Sequence, residues 1–175
     1  MALAVAGLLI VLDQLSKFWV VHNLPLGGPR EPLALGFHLT YVRNTGAAFG
    51  ILQDVTLLLS VLSAVVSAAI LYALLRHGRR MPPLQRWAFA LIFAGAVGNL
   101  IDRIRLGYVI DFIDFYVPGV IDFAIFNVAD ASVVVGAGLL LLAALTDKGE
   151  KARPDDQREA EEGLETRGLG SPPNR

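Results

Sequence analysis

With 54% hydrophobic residues over 175 positions and a mean hydropathy of +0.55, the chain is too apolar for an ordinary soluble domain. Fifteen basic and 16 acidic residues leave a net charge of −1, with no basic surface interleaved with aromatics, which argues against nucleic acid as a partner. The absence of cysteine removes disulfides, thiolate nucleophiles and cysteine-based metal sites together.

Four apolar runs are long enough to cross a hydrocarbon core, which takes about 20 residues of helix. They lie near Ala2–His22, Val55–Leu75, Leu84–Ile104 and Asn127–Thr146. The first has no basic residues before its apolar part, and Asp13 and Lys17 interrupt it, so it reads as a retained span and not a cleavable signal. Arg76, Arg79, Arg80 and Arg86 lie between spans two and three, and Lys148, Lys151 and Arg153 follow span four. The positive-inside rule puts both groups, and both termini, in the cytoplasm. Arg30, Arg43 and Arg105 on the outer side weaken that bias without reversing it.

The expected organisation is a four-helix membrane domain over 1–147 with outer loops at 23–54 and 105–126. A charged tail over 148–175 follows, cytoplasmic and too poor in apolar surface to order itself. Eight of the 16 acidic residues fall between Asp147 and Glu165. In the first outer loop, Pro25 to Pro32 is rich in turn residues. Leu35, Phe37, Leu39 and Tyr41 then alternate with other residues, which predicts a short strand or hairpin lying against the membrane surface.

The polar residues inside or beside the spans need a reason, because charge there is costly and by default functional. Asp13 and Lys17 are four apart and share a helix face, as a structural ion pair or as support for a neighbouring site. Asn44 to Gly50, N-T-G-A-A-F-G, reads as a turn into a helix or as a backbone-rich surface for an extended peptide. Gly95 and Gly98 allow close helix approach. Asn99 and Arg103 face one way near the outer end of span three, with Asp102 beside them in what a salt-bridged helix end would also explain.

Four aspartates fall between Val109 and Asp130. Asp114 and Asp122 are expected to face water. Asn127 and Asp130 have the spacing of a helix cap, which would explain Asp130 without chemistry. Asp111 has no such local job. Pro118-Gly119 turns the chain back, so a hairpin-like return can bring Asp111 beside Asp130. Two carboxylates sharing a low-dielectric site cannot both ionise easily, which suits them to activating water and polarising a carbonyl. Asp130, at a helix start, is the expected anion. His22, His38 and His77 lack H-E-x-x-H spacing, and neither G-x-S-x-G, S-x-x-K nor G-x-G-D occurs.

Taken in order, D-Q-L-S-K at Asp13–Lys17, N-T-G-A-A-F-G at Asn44–Gly50, G-A-V-G-N-L-I-D-R at Gly95–Arg103, G-Y-V-I-D-F at Gly107–Phe112 and F-N-V-A-D-A-S at Phe126–Ser132 resemble the lipoprotein signal peptidase (signal peptidase II) family. The resemblance covers about Leu12 to Gly136. It implies an all-α membrane protein with four transmembrane helices, both termini inside, a small periplasmic β-cradle and a short periplasmic helix within Gly107–Phe126. It also implies an aspartic endopeptidase of the bacterial inner membrane, its site at the periplasmic face. Such an enzyme cuts prolipoproteins just before a diacylglyceryl-modified cysteine, needs no metal or organic cofactor, contacts membrane lipids and is blocked by globomycin. By position, Asp111 and Asp130 match the catalytic pair. Asp13, Lys17, Asn44, Gly95, Asn99, Arg103, Asn127 and Ala129 match supporting or substrate-contacting positions. Ala94 stands where many relatives carry a second glycine. The chain is expected to act as a monomer. A small transporter or proton-relay subunit is the rival from another class, and it requires polar groups through the bilayer depth. A structural anchor requires that neutral replacements at Asp111 and Asp130 be harmless.

Overall fold

A computed structural model of the chain describes residues 1–46 and 53–146, apart from the side chains of 53–55. The chain divides into two units, Met1–Ala143 and Ala144–Arg175. The first unit carries everything below. The second contributes only the last residues of one helix to the described part. Both the tail expected over 148–175 and Ala47–Gly50 of the N-T-G-A-A-F-G stretch lie outside the described residues.

Four helices carry the fold: α1 (Ala2–Asn23), α2 (Gln53–His77), α3 (Pro83–Leu106) and α4 (Val128–Thr146). Each is long and apolar enough to cross a membrane. Their ends follow local chemistry. Leu24, held extended ahead of Pro25, stops α1. Pro83 opens α3, where a missing N–H costs nothing. Gly107 closes α3 in the left-handed region at φ 77°, its N–H donating to the Arg103 carbonyl at 3.0 Å.

Large apolar side chains of these helices point outward, among them Leu15, Phe18, Leu57, Leu62 and Leu141. Many of the buried positions are small, among them Ala2, Ala6, Ala88, Ala90 and Ala94. That inversion is what lipid as solvent demands, since helices then associate by close backbone packing. At Gly95 a Cβ would strike the Ala129 carbonyl oxygen, and at Gly136 it would strike Ala88 and Ile92. The two contacts draw α3 and α4 together.

Between the helices lies one antiparallel sheet in the order β1-β2-β3-β4: β1 (Glu31–Ala34), β2 (Phe37–Asn44), β3 (Val109–Val117) and β4 (Ile121–Asp122). The hairpin expected from the first loop is present. Leu35 and Gly36 turn it at φ 53° and 82°, the double positive pair that matches strand twist.

The second loop corrects the expectation of a short outer helix. Among the described residues Gly107–Phe126 contains strand and turn, with no helix. V-I-D-F-I-D-F-Y-V is β-branched and aromatic, and its backbone pairs with β2 on one side. On the other side the Phe112 and Ile113 N–H groups donate to the Phe126 carbonyl at 3.0 and 2.7 Å. The return is made at Pro118-Gly119, with Gly119 at φ 72° and the Val120 N–H on the Val117 carbonyl at 3.0 Å.

Candidate active site

The site is built on a buried ion cluster. Lys17 Nζ lies 2.8 Å from Asp13 Oδ2 and 2.9 Å from Asp102 Oδ2, and donates to Asn99 Oδ1 at 3.0 Å. All three ammonium protons are thereby used. Asp102 pairs with Lys17 of α1 and not with its neighbour Arg103, which replaces the salt-bridged helix end read from the sequence. Asp13 Oδ1 accepts the Ala129 N–H at 2.9 Å. One carboxylate on α1 thus satisfies a free donor in the first turn of α4. Asp102 Oδ2 accepts the Ile110 N–H at 3.2 Å, tying the start of β3 to α3. Gln14 was not expected here: its Nε2 donates to Asp13 Oδ2 (3.2 Å), the Gly98 carbonyl (3.2 Å) and Asp102 Oδ1 (3.0 Å). Its adjacency to Asp13 was the only sequence signal.

Two amides carry this frame to the aspartate pair. Asn99 Nδ2 donates to Asp130 Oδ1 at 2.7 Å, while its oxygen receives Lys17 and Asn127. Asn127 Nδ2 lies 2.7 Å from Asp111 Oδ1 and 3.1 Å from Asn99 Oδ1. The chain Asp111–Asn127–Asn99–Asp130 is continuous.

Asn127 also caps α4. Its Oδ1 accepts the Asp130 N–H at 2.8 Å, and its own N–H reaches Asp130 Oδ2 at 3.3 Å. The capping reading and the site reading of Asp130 are both satisfied by the same geometry. Asn44 Nδ2, at the end of β2, donates to Asp111 Oδ2 at 2.9 Å.

The two carboxylates differ in setting. Asp111 is 2% exposed; Asp130 is half-buried. Burial, reinforced by the charge of Asp130 and opposed by the amides of Asn44 and Asn127, pushes the Asp111 carboxyl up to about 6. Arg103, half-buried on α3, is in electrostatic reach of Asp130, Asp102 and Asp111 and forms no ion pair among the described residues.

Asp114 overturns its expectation. It is fully buried, 2.7 Å from Arg30 Nε and 2.9 Å from Thr40 Oγ1. Arg30 is 84 residues away in sequence, so no spacing pattern signals the pair. Asp122 is exposed as expected, 2.8 Å from Arg30 Nη2. The buried charges of the helices, Asp13, Lys17 and Asp102, gather at the end where Asp111 and Asp130 lie, and no polar path through the bilayer depth is present among the described residues.

Paired carboxylates at one end of an apolar four-helix bundle, one buried and one half-open, define the class of aspartic peptidases that work within a membrane. Comparison with known proteins narrows that class. The family profile described as Signal peptidase (SPase) II matches residues 5–146. A lipoprotein signal peptidase of Caldanaerobacter subterraneus is 43% identical over 141 residues, covering 80% of this chain and 92% of its own length. One from Streptococcus pyogenes is 46% identical over 140 residues, covering 77% and 86%. Among solved structures, a bacterial membrane enzyme superposes with a TM-score of 0.74 at 32% identity, over 87% of this chain and 92% of that one. The chain belongs to the signal peptidase II family.

Proposed function

We propose that this protein removes the signal peptide from prolipoproteins by cutting just before a diacylglyceryl-modified cysteine, with Asp111 and Asp130 as the catalytic pair. The observation that carries the reading is the amide chain Asp111–Asn127–Asn99–Asp130, which links two carboxylates with no cation bonded to either among the described residues.

Asp111, buried and pushed up to about 6, is the member that keeps a proton. Asp130, the more open of the two, takes a proton from water as the hydroxide attacks the scissile carbonyl carbon. The Asp111 proton passes to the carbonyl oxygen, giving a neutral gem-diol. On collapse that proton returns to Asp111, the proton on Asp130 goes to the leaving nitrogen, and the C–N bond breaks. One acid and one amine leave, and the pair again holds one proton.

Asp13, Lys17, Asn99, Asn127 and Ala129 fix the pair, and Gly95 lets α4 approach. Asn44 holds Asp111 from the sheet side, and Arg103 supplies positive potential to the site. Arg76, Arg79, Arg80 and Arg86 at the far end of the bundle support an orientation with both termini inside. That puts the sheet and the aspartates on the outer face of a bacterial inner membrane, where a lipid-anchored substrate can stay in the bilayer while its peptide bond reaches Asp130. The reading extends to inhibition by the cyclic peptide globomycin and to a monomer as the working unit.

The test is cleavage by purified protein in detergent of a diacylglyceryl-modified prolipoprotein and of the same precursor without lipid. Mass spectrometry is expected to find a product beginning at the lipidated cysteine, with the unmodified precursor left intact. A cut elsewhere, or equal cutting of both precursors, defeats the reading.

A further inference from the structure

The end of the helical bundle away from the aspartates holds a second concave feature. A cavity of about 550 Å3 lies between Ala2 and Leu3 of α1, Leu74 of α2 and Trp87 of α3, with Arg79 and Arg86 in its lining. That volume falls within the range of small-ligand sites, roughly 300–1,000 Å3.

Its charge is one-sided. No acidic residue occurs between Asp54 and Asp102, whereas Arg76, Arg79, Arg80 and Arg86 all do. Among the described residues every ion pair is made by Lys17 or Arg30, so none of these four arginines has a carboxylate partner. Arg86 makes one long hydrogen bond, from Nη1 to the Gly78 carbonyl at 3.4 Å, and this lays its guanidinium beside the α2–α3 turn. Its other donors have no partner among the described residues.

The lining itself is apolar at Ala2, Leu3, Leu74 and Trp87, and Leu75, next to Leu74 on α2, is 66% exposed. Guanidinium groups match phosphate oxygens in charge and fork geometry. Basic pockets between membrane helices, bordered by apolar surface and an interfacial tryptophan, suit anionic headgroups.

We propose that this cavity is a binding site for a phosphate group, held by Arg79 and Arg86, and that the adjoining apolar wall accommodates the acyl chains when the phosphate belongs to a lipid headgroup. The site is separate from the aspartate pair and does not rest on the catalytic reading.

The test is thermal unfolding of the full chain in mixed micelles containing phosphatidylglycerol, in the same micelles with phosphatidylcholine, and in plain detergent with inorganic phosphate. Each is repeated with R79Q/R86Q, with R79K/R86K as a folding control and with R105Q at the other end of the bundle. Phosphatidylglycerol is expected to raise Tm by several degrees over phosphatidylcholine in the wild type and in R105Q. That gain is expected to vanish in R79Q/R86Q and to return in part in R79K/R86K. An equal gain from inorganic phosphate, again lost in R79Q/R86Q, keeps the site and assigns the phosphate to solution. No gain from either source, or a gain that survives R79Q/R86Q, overturns the proposal.

Discussion

Two groups of carboxylates, all but Asp130 fully buried, lie side by side at one end of the helices, and they are held in opposite ways. Asp13 and Asp102 share the ammonium of Lys17 at 2.8 and 2.9 Å, so one of their two charges is offset and every proton on the cation is committed. Among the described residues the carboxylates of Asp111 and Asp130 receive only amides, from Asn44, Asn127 and Asn99. Amides orient a carboxylate without cancelling its charge, and burial then favours the protonated form of Asp111. Compensation makes the first group a frame. Its absence is what the proposed proton transfers on the second require.

The largest effect that can break this contrast is on turnover. Asp111→Asn and Asp130→Asn are each expected to lower kcat by roughly 10^2–10^4-fold, the range for a lost acid or base. The double variant should be no worse than either alone, since the pair acts as a unit. Cleavage of lipidated precursor measures this. Additive losses would mean that the two act independently.

On the frame the expected effect is on folding. Lys17→Met leaves two buried anions without a counter-ion and should cost about 3–5 kcal/mol. Adding Asp13→Asn and Asp102→Asn removes those anions and should recover much of the loss, as read by denaturation in detergent. If Lys17→Met alone unfolds no more easily than the wild type, the cluster is not what holds α1, α3 and β3 together.

Next in size is a pH effect from Asp111, whose carboxyl moves from 3.8 to about 6 on folding. Between those values the unfolded chain has lost the proton that the folded chain still holds. Stability from this group is therefore full below about pH 4 and falls as pH rises toward 6. The shift of about two units corresponds to roughly 3 kcal/mol. Asp111→Asn removes the penalty, so its Tm should exceed that of the wild type at pH 8 and match it at pH 4. A Tm difference of the same size at both pH values would remove burial as the cause.

Much of this was legible in the sequence because it is local or compositional. Four apolar runs gave four helices, with ends displaced by a few residues. The Leu35–Val42 alternation gave β2, and Pro118-Gly119 gave the return that brings Asp111 toward Asn127. What escaped was long-range pairing. Gly107–Phe126 formed β3 and β4 instead of the expected helix, because its backbone partners are β2 and Phe126 and no internal cap signals them. Asp114 was expected in water, and Arg30 and Thr40 bury it from 84 and 74 residues away. Gln14 stood beside Asp13 in plain view, but its three acceptors lie on two different helices.

The smallest effect tests the boundary between sheet and site. Among the described residues Asn44 is the only side chain of β2 that bonds the Asp111 carboxylate, and its Nδ2 hydrogen bond at 2.9 Å favours the anion and so holds the Asp111 carboxyl lower than burial alone would leave it. Asn44→Ala removes that bond while leaving Asn127 in place. The Asp111 carboxyl should then rise, and because the proposed mechanism uses its protonated form, the alkaline fall of kcat/KM should move to higher pH. Activity at the optimum should drop by about tenfold through lost positioning, a smaller loss than removal of either aspartate. Asn44→Asp tests the sign from the other side, since a second anion there raises the carboxyl further. An alkaline limb that stays fixed in both variants would mean that Asp111 is not the acid that limits turnover, and the proton-holding role would pass to Asp130.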